Sequence, residues 1–132
     1  MIRSVAAAEV HNKMKIAITS QGKDLDSQVD PRFGRAAYII VVDSDNLEFQ
    51  VIDNDANVNA MKGAGIQAAS NVVNSGAQVL LTGHCGPNAF KALQAGKVKV
   101  ANDATGAVKE AVKAYLDGKL PHAENADVEG HW

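Results

Sequence analysis

Two clusters of side chains in this sequence have the types and spacing to hold an anion or a soft metal. The first is Thr82-Gly83-His84-Cys85-Gly86-Pro87-Asn88, which follows the apolar run Val79-Leu80-Leu81 and leads into a helix at Pro87. Gly83 and Gly86 let the backbone turn sharply and leave little bulk above it, so a ligand could approach exposed N–H groups. Those amides, with the positive end of the following helix, favour negative charge. Cys85, the single cysteine, brings a soft sulfur and His84 an imidazole, a pair suited to Cu(I), Zn or a sulfide-bridged cluster rather than to Mg or Ca. A structural reading stands beside this one: the glycines shape a strand-to-helix turn, Cys85 packs as a small hydrophobe and His84 is an exposed turn residue.

The second cluster is Val29-Asp30-Pro31-Arg32-Phe33-Gly34-Arg35, where two guanidinium groups flank an aromatic ring and a glycine. Arginine offers planar, permanently charged donors to anions. The alternative is a turn whose arginines point into water and whose Phe33 caps the core. Gly63 and Gly65 form a third, weaker feature at the start of a helix, fitting either close approach of a ligand or tight packing of the helix entry.

Regular elements must carry these groups. Lys15–Ser20 reads as a strand apolar on both faces, hence central in a sheet. A long polar connection, 21–35, holds the arginine cluster; connections of that length inside a compact domain are uncommon and often functional. Ala36–Asp43 and Leu47–Asp53 form a hairpin around Ser44-Asp45-Asn46, its second strand at an edge with Glu48 and Gln50 facing out. A helix follows, with Ile66, Ala69, Val72 and Val73 on one side and Gly76 as its stop. The helix Pro87–Ala95 buries Ala89, Phe90 and Leu93 and ends at Gly96 in the usual glycine position. A short strand covers 98–101, and a last helix places Val108, Ala111, Val112, Tyr115 and Leu116 on one stripe before Gly118. Residues 1–13 read as a leader or upstream extension, 14–118 as one domain, and 119–132 as a flexible tail whose His122, His131 and three acids are solvated.

This order of elements gives an α/β fold, a five-stranded mixed sheet of an N-terminal hairpin plus parallel strands, flanked by helices. Ligands of such sheets sit outside the carboxyl ends of the parallel strands, where the loops carrying Arg32, Arg35 and Cys85 would converge. The chain has 132 residues, 46% hydrophobic, with 13 basic and 15 acidic residues interspersed for a net charge of −2. Such a balance gives no reason to expect nucleic acid or an anionic membrane as partner. One cysteine excludes an intrachain disulfide and suits the cytoplasm, and no apolar run approaches the roughly 20 residues of a membrane span.

The opening Met14-Lys15-Ile16-Ala17-Ile18, the 29–35 segment, Gly63-Ala64-Gly65 and 82–90 together resemble the dinitrogenase iron-molybdenum cofactor binding and biosynthesis family, over Met14 to about Leu120. The resemblance implies a ribonuclease-H-like fold and a protein that binds or carries a molybdenum- or iron-containing sulfide cluster without turning over a substrate. For a small stand-alone member it implies a molybdenum-copper sulfide cluster held without a covalent tether; the alternative is the iron-molybdenum cofactor or an iron-sulfur type cluster. Matching positions are Arg32, Phe33, Gly34, Arg35, Gly63, Gly65, Gly83, His84, Cys85, Gly86 and Asn88, with Cys85 and His84 as possible metal ligands. One cysteine cannot supply the multi-thiolate shell of an ordinary iron-sulfur cluster, so capture by charge and shape is expected, with Cys85 assisting. A monomer is expected, served by cofactor-assembly or ATPase partners. Two rival readings are a nuclease or phosphotransferase, which would need paired carboxylates for divalent metal ions, and a protein-interaction module. Asp43, Asp45, Asp53, Asp55 and Asp103 are available among the acids, but the first four cluster around the hairpin as turn and edge residues.

Overall fold

A computed structural model of the chain describes residues 14–54 and 64–123. Five strands, β1 (Lys15–Ser20), β2 (Tyr38–Asp43), β3 (Phe49–Asp53), β4 (Val79–Leu81) and β5 (Lys99–Ala101), form one sheet in the order β3-β2-β1-β4-β5. The pairs β1–β2 and β2–β3 are antiparallel, whereas β4 and β5 run parallel to β1. Helices α1 (Ala64–Asn74), α2 (Pro87–Ala95) and α3 (Val108–Leu116) complete the described elements. The expected mixed sheet, hairpin on one side and parallel strands on the other, is therefore present.

Alternation along the strands builds two cores. Ala17, Ile39, Val41, Leu80 and Val100 pack against Ala68, Ala69 and Val72 of α1 and Ala89, Phe90 and Leu93 of α2. Ile16, Ile18, Ile40, Val42, Val79 and Leu81 pack against Val108, Ala111 and Val112 of α3. Each large aliphatic side chain taken fully from water contributes about 1.5–3 kcal/mol, which explains why β1, apolar on both faces, lies at the centre. No helix among the described residues is long and apolar enough to cross a membrane.

Several details differ from expectation. β3 begins at Phe49, since Leu47 has a left-handed φ of 62°. Glu48 and Gln50 are exposed as anticipated, but Phe49 and Val51 are also 41% and 37% exposed. Of the β3 residues, Ile52 packs against the core, on the face it shares with its partner Ile39. Ile66 is 49% exposed rather than buried, as the buried stripe of α1 runs through Ala68, Ala69 and Val72 and leaves Ile66 at its margin. In the stretch expected to be a flexible tail, residues 119–123 pack on the domain. The Ala123 N–H donates to the Val100 carbonyl at 2.7 Å, and Tyr115 Oη lies 2.6 Å from His122 Nε2 with the two rings stacked. Burial pushes the Tyr115 phenol above its ordinary pKa. The leader, 1–13, and Gly63 lie outside the described residues.

Gly96 ends α2 for a reason other than the usual one. Its φ is −86°, and the left-handed residue is Lys97 at 65°. A Cβ at Gly96 would overlap the methyl groups of Val73 on α1, lying 2.9 Å from Cγ1. Gly96→Ala should therefore cost about 2 kcal/mol by overpacking, and Val73→Ala should recover part of that loss when the two are combined. Urea denaturation of the two single variants and the double variant measures the coupling; additive losses would contradict it.

Candidate functional site at the carboxyl rim of the parallel strands

The site is framed by main-chain pairing between two loops distant in sequence. Arg32 and His84 form a parallel bridge in which the His84 N–H donates to the Pro31 carbonyl at 2.8 Å and the Phe33 N–H donates to the His84 carbonyl at 3.1 Å. Beneath the bridge, Asp30 N–H donates to the Thr19 carbonyl at 3.0 Å, and the Thr19 hydroxyl donates to the Asp30 carbonyl at 2.7 Å. Thr19 Oγ1 also lies 2.9 Å from Thr82 Oγ1, so the Thr82 hydroxyl donates to it and joins the ends of β1 and β4. Both threonines are fully buried. Thr19→Val should cost about 2 kcal/mol in urea denaturation and Thr82→Val about 1 kcal/mol, because only the first strands two buried groups, the Asp30 carbonyl without a donor and the Thr82 hydroxyl without an acceptor.

The connection between β1 and β2 is thus stapled down, and its far arm is too. Val29 N–H donates to the Gly106 carbonyl at 2.9 Å; Val108 and Lys109 N–H groups donate to the Ser27 and Leu25 carbonyls at 2.8 and 2.9 Å. Glu110 Oε1 accepts from the Ala107 N–H at 3.0 Å. The N-terminus of α3 is therefore filled by protein acceptors. Lys109 pairs with Asp26 at 2.6 Å, and that bond raises the Lys109 pKa.

α2 begins differently. Its N-cap is Gly86, no side chain caps it, Pro87 opens the first turn, and that turn holds no acidic residue. α1 also lacks an acid in its first turn. The two helices are parallel: a Cβ on Gly65 would lie 3.3 Å from the Ala89 Cβ near their starts, while Gly96 meets Val73 near their ends. Two positive helix ends consequently share this rim with the arginine loop.

The structure separates the sequence candidates into two sets. Arg32, Arg35, His84, Gly86 and Asn88 lie at the surface or half-buried around the paired loops. Arg32 N–H donates to Asp30 Oδ1 at 3.0 Å, and its Nε lies 4.0 Å from the same oxygen; Arg35 N–H closes a turn on the Arg32 carbonyl at 3.2 Å, with Gly34 at φ 90°. Phe33 and Cys85, by contrast, point into the core shared with α1 and α2, and Cys85 is 0% exposed. Its Sγ lies 3.7 Å from the Gly86 carbonyl. That arrangement matches the small-hydrophobe reading of Cys85 and gives its sulfur no path to a rim ligand in this conformation. Among the described residues, no group of three or more His, Cys, Asp or Glu side chains could hold a metal ion.

Two glycines of the candidate set lie in close packing. A Cβ on Gly83 would lie 2.6 Å from Pro31 Cα and O, so the space above Gly83 is filled by the neighbouring loop. Gly65 supports the α1–α2 contact. The buried Thr19–Thr82 pair escaped sequence reasoning, although a hydroxyl residue at the end of two otherwise apolar runs was a usable signal. Asn102 escaped it as well: its Oδ1 is the buried side-chain oxygen without a partner among the described residues, just beyond β5. As an acceptor, that oxygen adds nothing to anion affinity.

Residues 14–118 match the family described as dinitrogenase iron-molybdenum cofactor, and the chain belongs to that family. Among its structural relatives is the orange protein of Desulfovibrio gigas, whose apo form is 46% identical with a TM-score of 0.85, covering 87% of this chain and 97% of that one. A candidate NifB protein from Thermotoga is 35% identical with a TM-score of 0.76, over 89% of this chain and 99% of its own. An uncharacterised protein of Methanocaldococcus jannaschii is 30% identical over 114 residues, 84% of this chain and 92% of that one.

Proposed function

We propose that this protein is a non-catalytic carrier that binds, stores or delivers a preformed anionic metal-sulfide cluster, held largely without covalent bonds. The observation that carries this reading is the backbone pairing of 31–33 with 83–85, which sets Arg32 and His84 beside the uncapped N-terminus of α2. A thiomolybdate-type cluster is bulky, polarisable and negatively charged, and suits amide donors, guanidinium groups and apolar walls better than a carboxylate cage. Family membership and the similarity to the orange protein support the same reading. We assign a molybdenum-copper sulfide cluster as cargo, with the iron-molybdenum cofactor or an iron-sulfur type cluster as alternatives, Arg32, Arg35, Gly86 and Asn88 as the binding groups, and His84 as the candidate for any direct metal contact. Donor and recipient would be cofactor-assembly or ATPase proteins in the cytoplasm. The sheet order, antiparallel on one side of β1 and parallel on the other, supports the ribonuclease-H-like description.

A nuclease would need paired carboxylates at the rim. The central strands β1 and β4 end instead in Thr19, Ser20 and Thr82. Asp43 and Asp45 lie at the opposite end of the sheet, since Asp43 pairs with Lys15 at the start of β1. Asp53, paired with Tyr38, is on the rim side but separated from β4 by two strands, β2 and β1.

The test is anaerobic titration of the full chain with tetrathiomolybdate and Cu(I), followed by gel filtration. The expected result is a visible chromophore that co-elutes with protein carrying molybdenum and copper, and no magnesium-dependent cleavage of nucleic acid. Colourless, metal-free protein after the column, for this cluster and for isolated iron-molybdenum cofactor alike, would end the carrier reading.

A further inference from the structure

The exposed edge of β3 combines three features that the cluster site does not use. The first is an open hydrogen-bonding ladder. Asp43 N–H donates to the Glu48 carbonyl at 2.8 Å and Asn54 N–H to the Ala37 carbonyl at 3.0 Å, so by antiparallel alternation residues 48, 50, 52 and 54 turn their backbone toward β2. Phe49 and Val51 then turn their N–H and C=O groups outward, and among the described residues no strand pairs with them. The second feature is apolar exposure: Leu47, Phe49 and Val51 are 48%, 41% and 37% exposed, and Phe49 and Val51 share the α3 side of the sheet through their partners Val42 and Ile40. The third is charge. From Ala36 to Asn54 the sequence holds Asp43, Asp45, Glu48 and Asp53 and no Lys, Arg or His.

An edge with unpaired amides and exposed alternate apolar side chains is a template for another strand, and natural proteins blunt such edges with lysine, proline or a bulge. β3 has none of these among its residues FQVID. We propose that the outer edge of β3 is a docking site for an extended segment of a partner protein with alternating apolar residues and lysine or arginine at its flanks, added to the sheet as a further strand. The acidic hairpin selects such a guest over a second copy of this chain, which would set like charges opposite each other. This inference does not rest on the cluster reading.

Two synthetic peptides of alternating valine and threonine, one with lysine pairs at its ends and one with glutamate pairs, test it against the isotope-labelled full chain by amide NMR. The lysine-flanked peptide should shift the Phe49 and Val51 amides and bind about tenfold more tightly than its glutamate twin. Val51→Pro removes an outward N–H that β2 does not use, and should weaken binding about tenfold. Val51→Lys places a repelling charge at the same point and serves where the proline variant fails to fold. Equal binding of the two peptides, shifts confined to other residues, or insensitivity to both variants would overturn the proposal. So would slow hydrogen exchange at these two amides in the chain alone, which would show the edge already taken by the chain itself or by a second copy.

Discussion

The Arg32→Ala, Arg35→Ala double variant should retain a thiomolybdate-copper anion about a hundredfold less tightly than the native chain, at a rim that keeps its shape. Each guanidinium is exposed, so its loss costs little folding stability. Under the proposed binding mode each supplies charge-assisted hydrogen bonds of about 1.5–3 kcal/mol to the anion, and two at the lower figure account for a hundredfold. Removing Arg32 has a further effect. Asp30, only 6% exposed, keeps the acceptor bond from the Arg32 backbone but loses the cation 4.0 Å away, leaving net negative charge beneath the anion. Lysine at both positions should recover part of the affinity, because it restores charge but not the planar fork. Cys85→Ala should change affinity by less than about threefold while costing about 1 kcal/mol of stability, as expected for a small buried side chain. Absorbance titrations of the three proteins decide the matter. Native affinity in the double arginine variant would refute an anion pocket, and loss of binding in Cys85→Ala alone would move the site to the sulfur.

Gly83→Ala should be the most damaging single change at the rim, lowering stability by about 3 kcal/mol and releasing the cluster as well. The added Cβ would sit 2.6 Å from Pro31 Cα and O and 2.9 Å from its Cβ. Two of these are backbone atoms, so relief requires the loops to part, which breaks the His84–Pro31 and Phe33–His84 hydrogen bonds. Two such bonds at about 1 kcal/mol each, with the remaining overlap, give the stated loss. Gly118→Ala is the control. Its φ of 81° carries the left-handed penalty, yet nothing lies within 4 Å of the new Cβ, so about 1 kcal/mol is expected. Denaturation midpoints compare the two directly; equal losses would show that crowding by Pro31 is not what Gly83 answers to.

Periodicity made most of the frame legible. The apolar run of β1, the hairpin, the start of α2 at Pro87 and the stripe of α3 follow from local pattern alone, and their order restricts the sheet to few topologies. What the pattern hides is anything decided by a contact between distant segments. Gly83 and Gly96 each read as a turn or cap residue, whereas one faces Pro31 and the other Val73. Cys85 follows an apolar strand and precedes an apolar helix, and only the packing of Phe33 and Ala89 shows that it turns inward. Ile66 reads as part of the buried side of its helix because periodicity does not say where the margin of that stripe falls. Arg32 and Arg35 were visible in the sequence as neighbouring cations, but the bridge that brings Arg32 to His84 spans more than fifty positions and leaves no local trace.

That bridge, with the Thr19, Asp30 and Gly106 contacts behind it, is made almost wholly of peptide groups. A frame drawn in main chain does not depend on the identity of the residues displayed on it. The guanidinium groups and Asn88 are thus exchangeable fittings, and replacing them should alter what the rim displays without altering how the chain folds.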